Sequence, residues 1–143
     1  MPDKTSMNMS GYLAALADAR RRNGQLIEAQ EASRRARKML SRDSQWFEPE
    51  VLRVEALIAR ELTSDGARDA EAGLRRAVDS ARRLGLPVAE LRCLLEIRNL
   101  LGQNGRVPDV DARIEELSHV QDAGRRAEAA MSARSPGLAL DAN

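Results

Sequence analysis

The chain offers few residues able to do bond chemistry. His119 is the single histidine. No second His or Cys stands near it to complete a zinc site, and no serine is arranged to use it as a base, so a solvated or helix-capping role is expected. Cys93, the single cysteine, lies among Val88, Leu91, Leu94, Leu95 and Ile97. Apolar surroundings raise a thiol pKa, so it reads as a small buried hydrophobe rather than a nucleophile. It has no partner for an internal disulfide, which fits a reducing, cytoplasmic setting. The acids sit on faces rich in arginine, and no carboxylate pair is placed for acid–base work. No metal, no cofactor and no enzymatic activity are expected.

The arginines are more numerous: Arg20 to Arg22, Arg34-Arg35, Arg37-Lys38, Arg75-Arg76 and Arg82-Arg83. A nucleic-acid surface needs such charges unopposed and interleaved with aromatics. Here acids precede arginines by four residues in Glu31–Arg35, Glu71–Arg75, Asp79–Arg83, Asp109–Arg113 and Asp122–Arg126, the favourable order on a helix. The formal net charge is only +1. Solvated, internally paired faces are therefore expected, and nucleic-acid contact is the rival reading. Trp46-Phe47 reads as a pair closing a helix junction, or alternatively as an exposed anchor for a partner.

These side chains must be carried by helices. Aromatics are 2% of 143 residues, so the core is Leu, Ala, Val and Ile, which suits packed helices better than a sandwich or barrel. Ala70, Leu74, Ala77, Val78, Ala81 and Leu84 form one apolar stripe, opposite Arg68, Asp69, Glu71, Arg75, Arg76, Asp79, Arg82 and Arg83. Pro49, Pro87 and Pro108 each stand where a helix begins, and Asn23-Gly24, Gly66, Gly85 and Gly105 mark turns. The spacing predicts helices over 10–22, 25–40, 49–62, 67–84, 88–102 and 108–120. The fifth is apolar over most of its surface and is expected to be the most buried. Residues 1–9 read as a flexible start, 10–120 as the helical domain, and 121–143 as a frayed, disordered tail. No stretch approaches the ~20 apolar residues of a membrane span.

Six helices of similar spacing suggest a repeat. Gly24, Asp65 and Gly105 superpose at steps of 41 (65 − 24) and 40 (105 − 65) residues. Downstream, Ala29, Ala70 and Val110 align, then Ser33, Leu74 and Ile114, then Ala36, Ala77 and Leu117. Upstream, Leu13, Val54 and Leu94 correspond, as do Leu16, Leu57 and Ile97. This resembles the tetratricopeptide pattern, though with a longer step than that repeat's usual ~34 residues. The segments WFEPEVLRVEALI, AEAGLRRAVDSARRLGLPVAELRCLLEIRNLL and GQNGR resemble the C-terminal tetratricopeptide region of large bacterial signalling proteins. In those proteins it follows a predicted ATPase module and, before that, a nucleotidyl cyclase or a DNA-binding domain. Trp46, Glu50, Leu52, Arg53, Ala77, Ala81, Arg82, Glu90, Leu91, Arg92 and Gly105 carry the resemblance. Ala56 replaces a usual glycine, Cys93-Leu94-Leu95 replaces small residues, and the aromatic pair after Leu117 is missing. No GxxxxGK[ST] loop occurs.

The resemblance implies an all-α, tetratricopeptide-like superhelical stack of about three antiparallel helix pairs. It implies a protein–protein interaction scaffold in a bacterial signalling system, or a remnant of a longer signalling protein. The first helix of each pair would line a concave groove presenting Asp18, Arg21, Arg22, Glu55, Arg92 and Asn99 to a protein or peptide. The lysine-and-asparagine clamp of chaperone-binding relatives is not reproduced, since Ala14 and Asp18 stand at its first two places. The exposed first pair would offer Tyr12, Leu13, Leu16, Leu26 and Ile27 as a self-association patch, giving a homodimer.

Overall fold

The structure, a computed structural model, describes residues 8–102 and 105–134. Among them the chain forms six α-helices and no strand: α1 Met9–Arg22, α2 Leu26–Lys38, α3 Glu48–Leu62, α4 Gly66–Arg83, α5 Pro87–Leu101 and α6 Pro108–Ala133. A 3-10 segment, Arg42–Phe47, joins α2 to α3. Prolines occupy the first turns of α3, α5 and α6, where a missing amide costs nothing. Gly24 and Gly85 take positive φ after α1 and α4, so the chain reverses within a few residues. Gly66 works differently: a Cβ there would lie 2.5 Å from the Ala59 carbonyl oxygen, so the α3–α4 turn has no room for one.

Each helix packs on the next, and α3 also touches α1 and α5. The larger core joins Leu52 and Ala56 of α3, Leu74, Ala77 and Val78 of α4, Cys93, Leu94 and Ile97 of α5, and Val110, Ile114 and Leu117 of α6. Two smaller clusters seat α1 and α2 on α3, one through Ala17, Ala29, Ala32, Val54 and Ile58, the other through Leu13, Ala14, Ala36 and Val51. Gly73 lets α4 approach α3 closely, because a Cβ on it would meet the Ala56 Cβ at 2.8 Å.

Four expectations change. The most buried helices are α3 and α4, not α5. Helix α5 lies between α4 and α6 and turns Val88 outward, with Leu91, Leu95 and Leu101 half-covered. Helix α6 continues through Ala133 instead of fraying after Leu117, and from Asp122 onward every described residue is exposed. The aromatic pair divides: Phe47 lies against Gly11, occupying the space of its missing Cβ, and Trp46 is exposed. Of the five four-residue acid–arginine pairs, only Glu71–Arg75 forms. Of the segments read as a flexible start and a disordered tail, residues 1–7 and 135–143 lie outside the described residues.

Candidate partner-binding groove

Helices α1, α3 and α5 share one side of the molecule, and an arginine buried in α3 organises it. Arg53 is only 3% exposed. Its Nε and Nη2 donate to the two Glu50 carboxylate oxygens at 2.9 and 2.7 Å, one turn earlier on the same helix. Its Nη1 donates to Glu96 of α5 at 3.1 Å, and Nη2 stands 3.6 Å from Asp18 of α1. A buried charge left unpaired would be costly, and here each side of the guanidinium meets a carboxylate.

The acids extend the network outward. Asp18 accepts from Arg21 Nε and Nη2 at 3.0 and 2.9 Å, and Arg22 stands 2.9 Å away on its other oxygen. Arg21 also reaches Glu61 at 2.5 Å, and Arg92 donates to Glu50 at 3.4 Å. Burial alone would raise the Asp18 and Glu50 pKa values. The hydrogen bonds and charges of Arg21, Arg53 and Arg22 on Asp18, and of Arg53 and Arg92 on Glu50, outweigh burial and hold both carboxyls below their ordinary range. For Arg53 the same contacts push the pKa up, so it stays charged. Groups held ionised in this way offer charge and hydrogen bonds rather than proton transfer.

Above this network lies a cleft of about 510 Å³, lined by Ala15, Asp18, Ala19, Arg22, Glu50, Arg53, Arg92 and Glu96. Asp18, Arg22 and Arg92 therefore do come together, with Arg21 beside them. Glu55 does not: it turns to the opposite side of α3 and accepts from Arg37 of α2 at 2.7 Å. Burial raises its pKa, and the nearby Arg37 and Arg76 only partly oppose the shift. Asn99 is exposed two turns beyond Arg92, roughly 10 Å along the helix. Of the self-association residues, Leu13 belongs to the core, Leu16 and Leu26 are half-buried, and only Tyr12 and Ile27 are exposed. Leu13 faces inward because it lies on the same side of α1 as Ala14 and Ala17.

Arg53, Glu50 and Glu96 had no place in the groove as read from sequence. One signal was present: Arg53 interrupts the apolar run Val51, Leu52, Val54 three residues after an acid, the spacing of a local ion pair. A second buried charge went equally unread. Glu90 of α5 is 3% exposed and accepts from Arg82 at 2.6 Å and from Arg113 at 2.8 and 3.0 Å. His119 is exposed, 4.0 Å from Glu115. Cys93 is buried, its thiol pushed up to about 12 chiefly by desolvation. Among the described residues no three His, Cys, Asp or Glu side chains cluster as metal ligands, and no helix is long and apolar enough to cross a membrane. Comparison with protein-family models, with curated proteins and with solved structures found no match.

Proposed function

We propose that the chain is a tetratricopeptide-like interaction scaffold whose α1–α3–α5 groove binds an acidic or polar segment of another protein. The cleft carries this reading. Its acids are engaged by Arg53, whereas Arg22 and Arg92 at its two sides are mostly exposed and each is held by an acid through one nitrogen. Their remaining N–H groups are free to meet carboxylates of a partner. The repeat register adds support: of the fifteen apolar or small positions superposed from sequence, all but Leu16 are buried. Glu50, Arg53 and Arg92, which carry the resemblance to bacterial signalling proteins, belong to the groove network. A sensing or partner-binding role in such a cytoplasmic pathway follows from that resemblance.

Capture of partners from a bacterial lysate on the immobilised chain, with Arg92→Glu and Arg76→Glu beside the parent, tests the assignment. Arg76 lines a different depression, between α3 and α4. Arg92→Glu is expected to lose the captured partner with helicity unchanged, and Arg76→Glu to retain it. Equal losses would refute the groove.

One observation favours nucleic acid as a second reading. Among the described residues Arg34, Arg35 and Lys38 of α2 and Arg42 just after it form no ion pair, so this exposed side carries more basic charge than its Glu28 and Glu31 offset. Binding that falls steeply between low and physiological salt, and falls again on Arg34→Glu/Arg35→Glu, would support it over the groove.

A further inference from the structure

The six charges lining the cleft cancel in number, three of each sign, but they are not mixed at random. They run in one chain of contacts across the three helices: Arg92 to Glu50 at 3.4 Å, Glu50 to Arg53 at 2.7 Å, Arg53 to Asp18 at 3.6 Å, and Asp18 to Arg22 at 2.9 Å. Glu96 stands beside the centre, 3.1 Å from Arg53. The two end cations are mostly exposed, whereas the central one, Arg53, is buried. A partner entering the cleft therefore meets arginine at either end and carboxylate in the middle. The bonding of Glu96 shows where that middle is open. Asp18 and Glu50 each accept through both carboxylate oxygens. Glu96 accepts through Oε1 alone, and among the described residues its Oε2 has no partner and is not buried. A carboxylate can accept several hydrogen bonds, so this oxygen is an acceptor held ready one turn beyond Arg92 on the same wall of the cleft.

We propose that the groove selects a segment in which a lysine or arginine stands between two acids, the acids meeting Arg22 and Arg92 and the cation meeting Glu96. The inference rests on the groove reading and narrows it. A purely acidic segment would set a carboxylate against Asp18, Glu50 and Glu96, and like charges brought together in an interface are costly. A purely basic one would meet Arg22 and Arg92 in the same way. An alternation of acid, base and acid complements both ends and the middle. In an extended segment side chains two residues apart share a face, so acid–x–base–x–acid presents all three charges to the cleft. Glu96 is the specificity-determining residue of this arrangement, because it alone reads the central cation.

Three acetylated, amidated peptides test it: Glu-Ala-Lys-Ala-Glu, Glu-Ala-Gln-Ala-Glu and Glu-Ala-Glu-Ala-Glu. Each is titrated into the full chain to millimolar concentration and followed by amide shifts in NMR spectra. The lysine peptide is expected to bind about fivefold more tightly than the glutamine peptide, which is what one partly exposed ion pair contributes, and the all-acid peptide most weakly. Glu96→Gln keeps an oxygen to accept from Arg53 and removes the charge, so the lysine peptide should fall to the level of the glutamine peptide. A lysine preference that survives Glu96→Gln overturns the assignment. So does an all-acid peptide that binds the parent as tightly as the lysine peptide. Arg92→Glu then separates the two readings: binding lost in that variant leaves the groove standing, and binding retained refutes the groove as well. Absence of shifts with all three peptides also overturns the inference, and the lysate capture with Arg92→Glu still judges the groove by itself.

Discussion

The two most deeply buried charges among the described residues, Arg53 and Glu90, are opposites. Arg53 is a cation enclosed by three carboxylates from α1, α3 and α5, and it forms the floor of a cleft. Glu90 is an anion enclosed by two arginines, Arg82 of α4 and Arg113 of α6, and it ties the last helix to the body. Both are equally buried, but their partners differ. The acids around Arg53 have side chains 11, 28 and 28% exposed, whereas Arg82 and Arg113 are 47 and 30% exposed. A buried pair is worth little against a hydrophobic replacement, but stranding its partners is costly in proportion to how far they are cut off from water. The groove site is therefore expected to be the more sensitive of the two.

Truncation tests that ordering. Arg53→Ala leaves Asp18, Glu50 and Glu96 facing one another and is expected to cost about 3 kcal/mol. Arg53→Met, which keeps the bulk and removes the charge, should cost measurably less if packing shares the role. Glu90→Gln keeps the shape and lets two long, half-exposed arginines turn to water, so about 1 kcal/mol is expected. Urea denaturation of the three variants reads all of these. A Glu90→Gln loss equal to that of Arg53→Ala would break the distinction.

Much of the frame was legible because it rests on local chemistry. Pro49, Pro87 and Pro108 marked three helix starts, and the small and bulky positions from Ala29 to Leu117 marked the buried faces. What was not legible depends on which helix lies opposite. Asp79–Arg83 and Asp109–Arg113 look like local pairs, but Arg83 bonds Glu48 of α3 and Arg113 bonds Glu90 of α5. A local exposed pair is worth only about 0.3–0.5 kcal/mol, so a well-placed partner on another helix readily displaces it. The repeat register alone, with the first helix of each pair lining the groove, places Glu55 there. A central helix has two polar sides, and Glu55 lies on the one away from the groove. The length of α6 is not legible because an alanine-rich run without a core-facing stripe gives no packing reason to continue, whereas helical propensity suffices once α6 is nucleated on α5.

The carboxylates of both clusters also set the acid limit of the fold. Asp18, Glu50 and Glu90 have folded pKa values below the ordinary 3.8 and 4.5, so the unfolded chain binds protons more readily. Their contribution is fully present above those ordinary values and is lost as pH falls through the lower folded ones. Stability measured in urea from pH 6 downward is expected to be level and then to drop below about pH 4.5. Asp18→Asn and Glu90→Gln should each flatten that drop. Glu55, whose carboxyl burial raises, contributes with the opposite sign. A drop of unchanged steepness in both variants would mean that neither cluster governs acid unfolding.

The smallest expected effect lies in the only buried side-chain polar atoms without a hydrogen-bond partner among the described residues, Ser10 Oγ and Ser33 Oγ. Ser33 of α2 occupies the repeat position held by Leu74 in α4 and Ile114 in α6, both core residues, so a hydroxyl stands where the fold uses apolar bulk. An unmade hydrogen bond carries the desolvation cost of its donor with nothing in return, and serine is also a weaker helix former than alanine. The charged clusters satisfy every buried polar group they contain, and Ser33 does the reverse. Ser33→Ala is therefore expected to be neutral or to stabilise by up to about 1 kcal/mol, where Arg53→Ala destabilises. The urea midpoint should move upward with the slope of the transition unchanged. A loss of about 1 kcal/mol or more would mean that the hydroxyl has a partner, such as a bound water held between α2 and α3.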